Sequence, residues 1–472
     1  MTAYSSSSGS PVPLGSVDLL GSEQRPLRVA VVGSGPAGFY TADALLKNKQ
    51  ITAEVDLFER LPAPYGLVRY GVAPDHQKIK SVTAAYDKLC ENPRLRFLGN
   101  VHVGHPDISL EELLLHYDQV VFAVGCETDR RLGIPGEDLS GSHPATSFVA
   151  WYNGHPDFVD YPVALDAERA VIVGVGDVAM DLTRMLLQGH ERLAKTDIAE
   201  HALEVFRKSR VREVVLVARR GPAQAAFATK ELEDIVELPD VAVDIDPAQV
   251  RADVESGEEH DGLTKRKLEY LATLATRDKG TSDRRAIFRF LASPVEIVGE
   301  GGKVTGLSIE HNELVKDHAG RASARGTGRI ETIPAGLVFR SVGYRGVPIP
   351  GLPFDEKQGI VPNAEGRVQR NGETVPFVYV AGWIKRGPSG VIGTNKSDAS
   401  GTVQKMLEDI RDRAAPPKPR EAVDDLLRSR GVRVVTWSDW QRLDRVERER
   451  GAAIGKIREK VTHLSDVVAA LS

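Results

Sequence analysis

Twice in this chain an apolar run breaks into a glycine turn and then into a helical pattern: VAVVGSGPAGFYTADALLK over Val29–Lys47 and VIVGVGDVAMDLTRML over Val171–Leu186. A strand that feeds a helix through so short a turn belongs to a parallel α/β layer. The glycine spacing explains the turn. The first glycine permits the sharp bend, the second lets a pyrophosphate approach the backbone, and the third brings helix against strand. Two such units in 472 residues imply two nucleotide-binding bodies in one chain.

The two units differ in taste. In the first, Gly33, Gly35 and Gly38 fill the three places around Ala37, and Glu59 ends the strand-like EVDLFE 21 residues after Gly38. An acid there accepts hydrogen bonds from an adenosine ribose and disfavours a 2′-phosphate, which fits FAD and a nicotinamide dinucleotide alike. In the second, Gly174, Gly176 and Ala179 take the places, with Asp177, Val178 and Met180 alongside. The next strand, REVVLVARRG, ends in Arg219-Arg220. Two guanidiniums can grip a ribose 2′-phosphate, so this seat reads as NADP(H). Asp177 is at odds with an anion seat. One nucleotide held as redox centre and one exchanged as hydride carrier would explain the pair, because a flavin joins two-electron to one-electron chemistry.

Composition narrows the class. A net charge of −5 argues against nucleic-acid or anionic-membrane partners, and no run of 18 apolar residues exists to span a bilayer. Cys90 and Cys126 form no CxxC pair, so no metal, cluster or disulfide is expected, and the usage fits a cytoplasmic protein. The serine-rich start has no arginine before Arg25 and no apolar h-region, which makes it a poor targeting signal and a solvated tail. Residues 80–91 and 182–208 read as helical, and GEGGK reads as a hairpin turn. The charged stretch 231–290 yields no assignment.

On these residues the chain resembles the adrenodoxin-reductase-like ferredoxin–NADP reductases, particularly their bacterial branch, from about Arg28 to Met406. The motifs that carry the likeness are VGSGPAGFY, LPAPYGLVRYGVAPDHQKIK, IPGEDL, RRGPAQAAF, FRFLASP, RSVGYRG and GWIKRGPSGVIGTNKSDA. The resemblance implies an α/β fold of two interleaved Rossmann-like dinucleotide-binding domains. A tail at 1–27 would precede a FAD domain split between 28–129 and 350–412, with a NADP domain inserted at 130–349 and a linker plus helical appendix at 413–472. It implies FAD beside Ala37, Glu59, Leu67, Val103, Trp383 and the Gly390-Val391-Ile392 turn. NADP would lie beside Arg130, the turn from Gly176 to Met180, Arg219, Arg220 and Glu231, with Gly390 where the two meet. His76 of APDH would sit near the redox site and share proton handling with an acid whose place Asp234 takes. The family usually has asparagine at Asp177 and glutamate at Asp234. The shorter Asp234 argues against a direct contact with His76, and a histidine that merely packs under the flavin is the plainer alternative.

The activity so implied is FAD-dependent transfer from NADPH to a ferredoxin or similar small acidic iron–sulfur protein. Docking would use local positive charge, for which Arg207, Lys208, Arg210, Arg212, Arg284, Arg285, Arg289 and Lys385-Arg386 are candidates. The flavin subunit of a glutamate-synthase-like complex is an alternative, but this chain has no cysteine before Cys90 for the clusters of such subunits. A flavin monooxygenase lacks any substrate-domain signature. A nucleotide-binding sensor without turnover rests on Asp177 and Asp234 alone.

Overall fold

The computed structural model describes residues 20–104, 106–255, 259–277, 282–316, 322–412 and 418–471. Most of the expected N-terminal tail and residues 413–417 of the linker lie outside them.

The first glycine unit is the centre of a seven-stranded sheet. Its order is Asn363–Ala364, Arg367–Arg370, Glu373–Val380, Gln119–Phe122, Leu27–Val32, Ala53–Glu59 and Leu95–Gly99. The last five are parallel. Alternation along Leu27–Val32 serves both faces. Val29 and Val31 pack with helices Pro36–Leu46 and Thr394–Glu408, whereas Ala30 and Val32 pack under Leu110–His116 and Ala422–Ser429. With both faces covered the strand has no polar side, which is why it reads as a continuous apolar run.

The second unit centres a six-stranded parallel sheet ordered Ser142–Pro144, Leu337–Arg340, Arg169–Val173, Glu213–Val217, Arg284–Arg289 and Val241–Ile245. The chain leaves the first sheet after Phe122, builds the second, and rejoins the first at Asn363. At the crossing Thr128–Asp129 pairs with Tyr344–Arg345. The fold is thus α/β with two interleaved Rossmann-like bodies. A three-stranded antiparallel sheet, Ala292–Glu300, Lys303–Lys316 and Ala322–Pro334, turns at Gly301-Gly302, both in the left-handed region that the GEGGK turn demands. The stretch left unassigned from sequence holds helices Thr229–Val236, Pro247–Glu255 and Gly262–Thr276 with strands Val241–Ile245 and Arg284–Arg289.

The C-terminal segment is more than an appendix. Arg420 donates to the Asp56 carboxylate in the first sheet, which also receives Arg96 and Tyr117. Burial raises the Asp56 carboxyl, but the arginine bonds outweigh it and hold it below its ordinary value. Val435 bridges the sheet edge at Gly99, and Trp440 Nε1 donates to Tyr65 Oη at 3.0 Å. Fully buried Glu447 accepts from Arg69 at 3.0 and 2.6 Å and from Arg458 at 2.7 Å. Further on, Lys460 and Lys80 share Asp197 of the second body, at 3.4 and 2.8 Å. Burial raises Asp197, yet the two lysines bring its pKa down to about 2. Among the described residues no helix is long and apolar enough to cross a membrane.

Replacing Glu447 by Leu strands Arg69 in the interior without a counter-charge and leaves Arg458 with Asp444 alone. The expected loss is about 3–5 kcal/mol of stability, read as a lower denaturant midpoint by fluorescence of the neighbouring Trp440.

Candidate active site

Each glycine turn pairs two crowded glycines or small residues with one open one. At Gly33 (φ +103°) a Cβ would lie 2.6 Å from Ala123 O, and at Gly38 it would lie 1.9 Å from Gly33 O. A Cβ on Gly35 would meet nothing within 4 Å. Gly33 and Gly38 are therefore demanded by packing, while Gly35 faces free space at the start of helix Pro36–Leu46, which no side chain caps. Uncapped N–H groups and an open floor are what a pyrophosphate requires. Glu59 accepts Ser34 N at 3.0 Å, Ser34 Oγ at 2.7 Å and Leu61 N at 3.0 Å. Three of a carboxylate's roughly four acceptor positions are thus used, so Glu59 braces the turn with one position left over.

Two other segments close on this turn. Tyr65, itself at φ +85°, donates its N–H to Ser34 O at 3.0 Å. Gly66 then lies so near that its Cβ would be 3.1 Å from Gly35 Cα, which lays the loop carrying Leu67 over the turn. Opposite, Gly382 N donates to Asp398 at 2.6 Å, and a Cβ on Gly382 would be 2.5 Å from the Ala37 Cβ. That contact sets Trp383 beside the first helix, with its ring 5.4 Å from Tyr344 and its Nε1 donating to Ser389 O. Gly390 and Val391 are exposed, Val391 by 68%. Val103 is buried in the core below the strand ends.

The second turn repeats the scheme. A Cβ on Gly174 (φ +122°) would be 2.1 Å from Ser341 O, whereas one on Gly176 would meet nothing within 4 Å. Helix Asp177–Leu187 also starts without a side-chain cap. Asp177 Oδ1 accepts Ala228 N at 2.9 Å, a bond no spacing rule announces. Ala179 and Met180 are fully buried in the core, and the Met180 N–H is spent on Gly176 O. The Met180 side chain and its backbone donor are thus both engaged within the protein. Val178 packs against the same core. Arg219 and Arg220 are exposed, their carbonyls held by Asn312 and Leu291, and among the described residues neither guanidinium has a carboxylate partner. Arg130 lies exposed on the crossing, its N–H on Gly343 O.

Between the turns the two bodies meet through charge. His76 caps the short helix Gln77–Lys80, and its Nε2 lies 3.6 Å from Asp234 Oδ2. The shorter aspartate therefore does reach His76, because helix Thr229–Val236 stands close enough to make up the missing methylene. The other ring nitrogen, Nδ1, lies 3.6 Å from Asp181, a residue the sequence reading missed. Arg184, one turn on, binds Asp75 through Nε and Nη2 at 2.8 and 2.9 Å, Asp181 at 2.7 Å and Glu231 at 3.4 Å. The spacing of Asp181 and Arg184 on one helix face was the available signal. His76, Asp181 and Glu231 offer ligand atoms within 4.8 Å of one another, but the Arg184 guanidinium already supplies their positive charge. Burial and then Asp181 push Glu231 up to about 7 against the pull of Arg184. Burial also raises Asp181, while Asp75 is held low because Arg184 outweighs its burial.

Residues 27–267 match the family model for pyridine nucleotide-disulphide oxidoreductases. The NADPH-ferredoxin reductase FprA of Mycobacterium tuberculosis (strain ATCC 25618 / H37Rv) is 46% identical over 456 residues, covering 94% of this chain and 99% of that protein. Human mitochondrial NADPH:adrenodoxin oxidoreductase is 42% identical over 454 residues, covering 93% and 91%. The solved structure of M. tuberculosis FprA in complex with NADPH superposes with a TM-score of 0.89 at 45% identity, covering 95% of this chain and 100% of that one.

A carboxyl whose pKa is raised on folding destabilises the folded state as it ionises, so the cost of Glu231 is absent below about 4.5 and fully present above about 7. The stability of Glu231→Gln relative to the parent should therefore rise between those pH values, measured by denaturant midpoints without nucleotide. A flat difference would contradict the raised pKa.

Proposed function

The chain belongs to the adrenodoxin-reductase-like ferredoxin–NADP reductases, and we propose that it works as an FAD-dependent NADPH:ferredoxin oxidoreductase with FAD on the first glycine turn and NADP(H) on the second. The observation that carries the assignment of seats is the contrast between two open turns, Gly35 beside Glu59, and Gly176 followed by Arg219 and Arg220, which have no carboxylate partner among the described residues. FAD, when bound, supplies the junction between a two-electron donor and one-electron acceptors.

The chain's residues do the positioning. The uncapped helix starts at Gly35 and Gly176 bind the two pyrophosphates. Arg219 and Arg220 select the 2′-phosphate. Tyr344 and Trp383 wall the space between the bodies. His76, held between Asp181 and Asp234, can hold or release a proton at Nε2 or Nδ1 at that junction. Glu231, neutral or charged near pH 7, lies beside the same group.

A ferredoxin-type protein is the electron partner. Of the basic candidates, Arg207, Arg210 and Arg289 are bound to Glu200 and Glu204, Glu168, and Glu331. Lys208, Arg212 and Arg285 lie toward the starts of the second sheet's strands, opposite the strand ends that carry the glycine turns. Lys385 and Arg386 follow Trp383 at the productive end and share one carboxylate, Asp398. We favour that end for docking.

In a steady-state assay, NADPH-driven cytochrome c reduction should be strongly stimulated by ferredoxin, with NADPH well ahead of NADH. Replacing both Arg219 and Arg220 by Gln should raise KM for NADPH at least tenfold, about 1.5 kcal/mol or more per lost charge-assisted bond, and leave NADH kinetics unchanged. An equal effect on both nucleotides would refute the 2′-phosphate assignment.

A further inference from the structure

Asp177 is an acid beside a seat built for an anion. It opens helix Asp177–Leu187 directly after the open Gly176, and its side chain is exposed. Its Oδ1 accepts the Ala228 N–H at 2.9 Å, while Val175 O accepts the N–H groups of Ala226 and Phe227 at 3.0 and 3.2 Å. These three bonds lace the second turn to the loop that leads into Glu231. Among the described residues no basic side chain forms an ion pair with Asp177, and the buried Lys267 ammonium feels its charge only from beyond contact distance. Its field already reaches Glu231, which it helps to keep protonated.

A helix N-terminus favours negative charge through its free N–H groups and its dipole, and that preference is finite. A carboxylate on the first helical residue draws on the same positive end that would receive a pyrophosphate. We propose that Asp177 sets the affinity of the second seat: its charge opposes the pyrophosphate of NADP(H), while its hydrogen bond to Ala228 holds the turn in shape. The nucleotide then binds more weakly and leaves faster than with a neutral side chain at this position. The proposal rests on the reading of the second turn as the NADP(H) seat.

Asn at position 177 keeps an Oδ1 acceptor for Ala228 and removes the charge, so Asp177→Asn separates the two roles. The FAD-loaded protein and this variant are titrated calorimetrically with NADP⁺ and with adenosine 2′-monophosphate, which carries the 2′-phosphate but no pyrophosphate. The variant should bind NADP⁺ about three- to tenfold more tightly, the size of a like-charge repulsion across a few ångströms of wet surface. Release in stopped flow should slow to match, and the gain should shrink as salt is added. The affinity for adenosine 2′-monophosphate should change less than twofold. Unchanged or weaker NADP⁺ binding overturns the proposal, and so does an equal gain for adenosine 2′-monophosphate, which would locate the effect away from the pyrophosphate. If the parent protein binds no NADP⁺ at all, the reading of the seat fails instead.

Discussion

The geometry between the two nucleotide turns depends on one buried guanidinium. Arg184 stands on the helix that starts at the second turn, yet its bidentate partner, Asp75, sits on the loop of the first body. That pair ties the bodies where their chemistry must meet, and Gln188 adds a third bond to the same carboxylate. His76 follows Asp75 directly, so the register of the pair also fixes the imidazole between Asp181 and Asp234. Removing Arg184 would take away the guanidinium that offsets the mutual repulsion of Asp75, Asp181 and Glu231. The site's acidity is therefore a property of the contact between bodies and belongs to neither alone.

The two seats separate their ligands by opposite means. At the first, the acid is absorbed into the protein: Glu59 spends most of its hydrogen-bonding capacity on Ser34 and Leu61 and presents a rigid, already satisfied edge. The Tyr65–Leu67 loop and Gly382 crowd the turn from two sides, which suits a group meant to stay. At the second, Arg219 and Arg220 are exposed and have no carboxylate partner among the described residues, and Asp177 adds a charge of the wrong sign. Tight packing on one side and loose charge on the other match a resident cofactor and an exchanged one.

What the sequence shows, and what it hides, follows from distance along the chain. The glycine turns, the acid at Glu59 and the arginine pair are local signals, each set within about 45 residues by a strand, a turn and a helix. The hairpin at Gly301-Gly302 is equally local. The segment 231–290 was opaque because helix Gly262–Thr276 mixes charge with only a weak apolar stripe, while helix Thr229–Val236, though amphipathic, is only eight residues long. The contact between His76 and Asp234 was misjudged for a different reason. Side-chain length was visible in the sequence, but the approach of two helices from separate bodies was not. The spacing of Asp181 and Arg184 is visible in the sequence, but their shared neighbour Asp75 comes from more than a hundred residues away.

The division of the first sheet has a consequence for how the protein is made. Strand Gln119–Phe122 is synthesised long before its neighbour Glu373–Val380, and the ties from Trp440 to Tyr65 and from Glu447 to Arg69 come later still. The second body, whose sheet strands all fall between Ser142 and Arg340, has every strand available while the first still lacks a wall. On the ribosome the inserted body can close as a unit, and the body that surrounds it in sequence must wait with an open sheet edge, the kind of exposed surface that invites misassembly. The C-terminal helices thus clasp the earliest-made loop, through Trp440 on Tyr65 and Glu447 on Arg69, only after every strand of both sheets has been made.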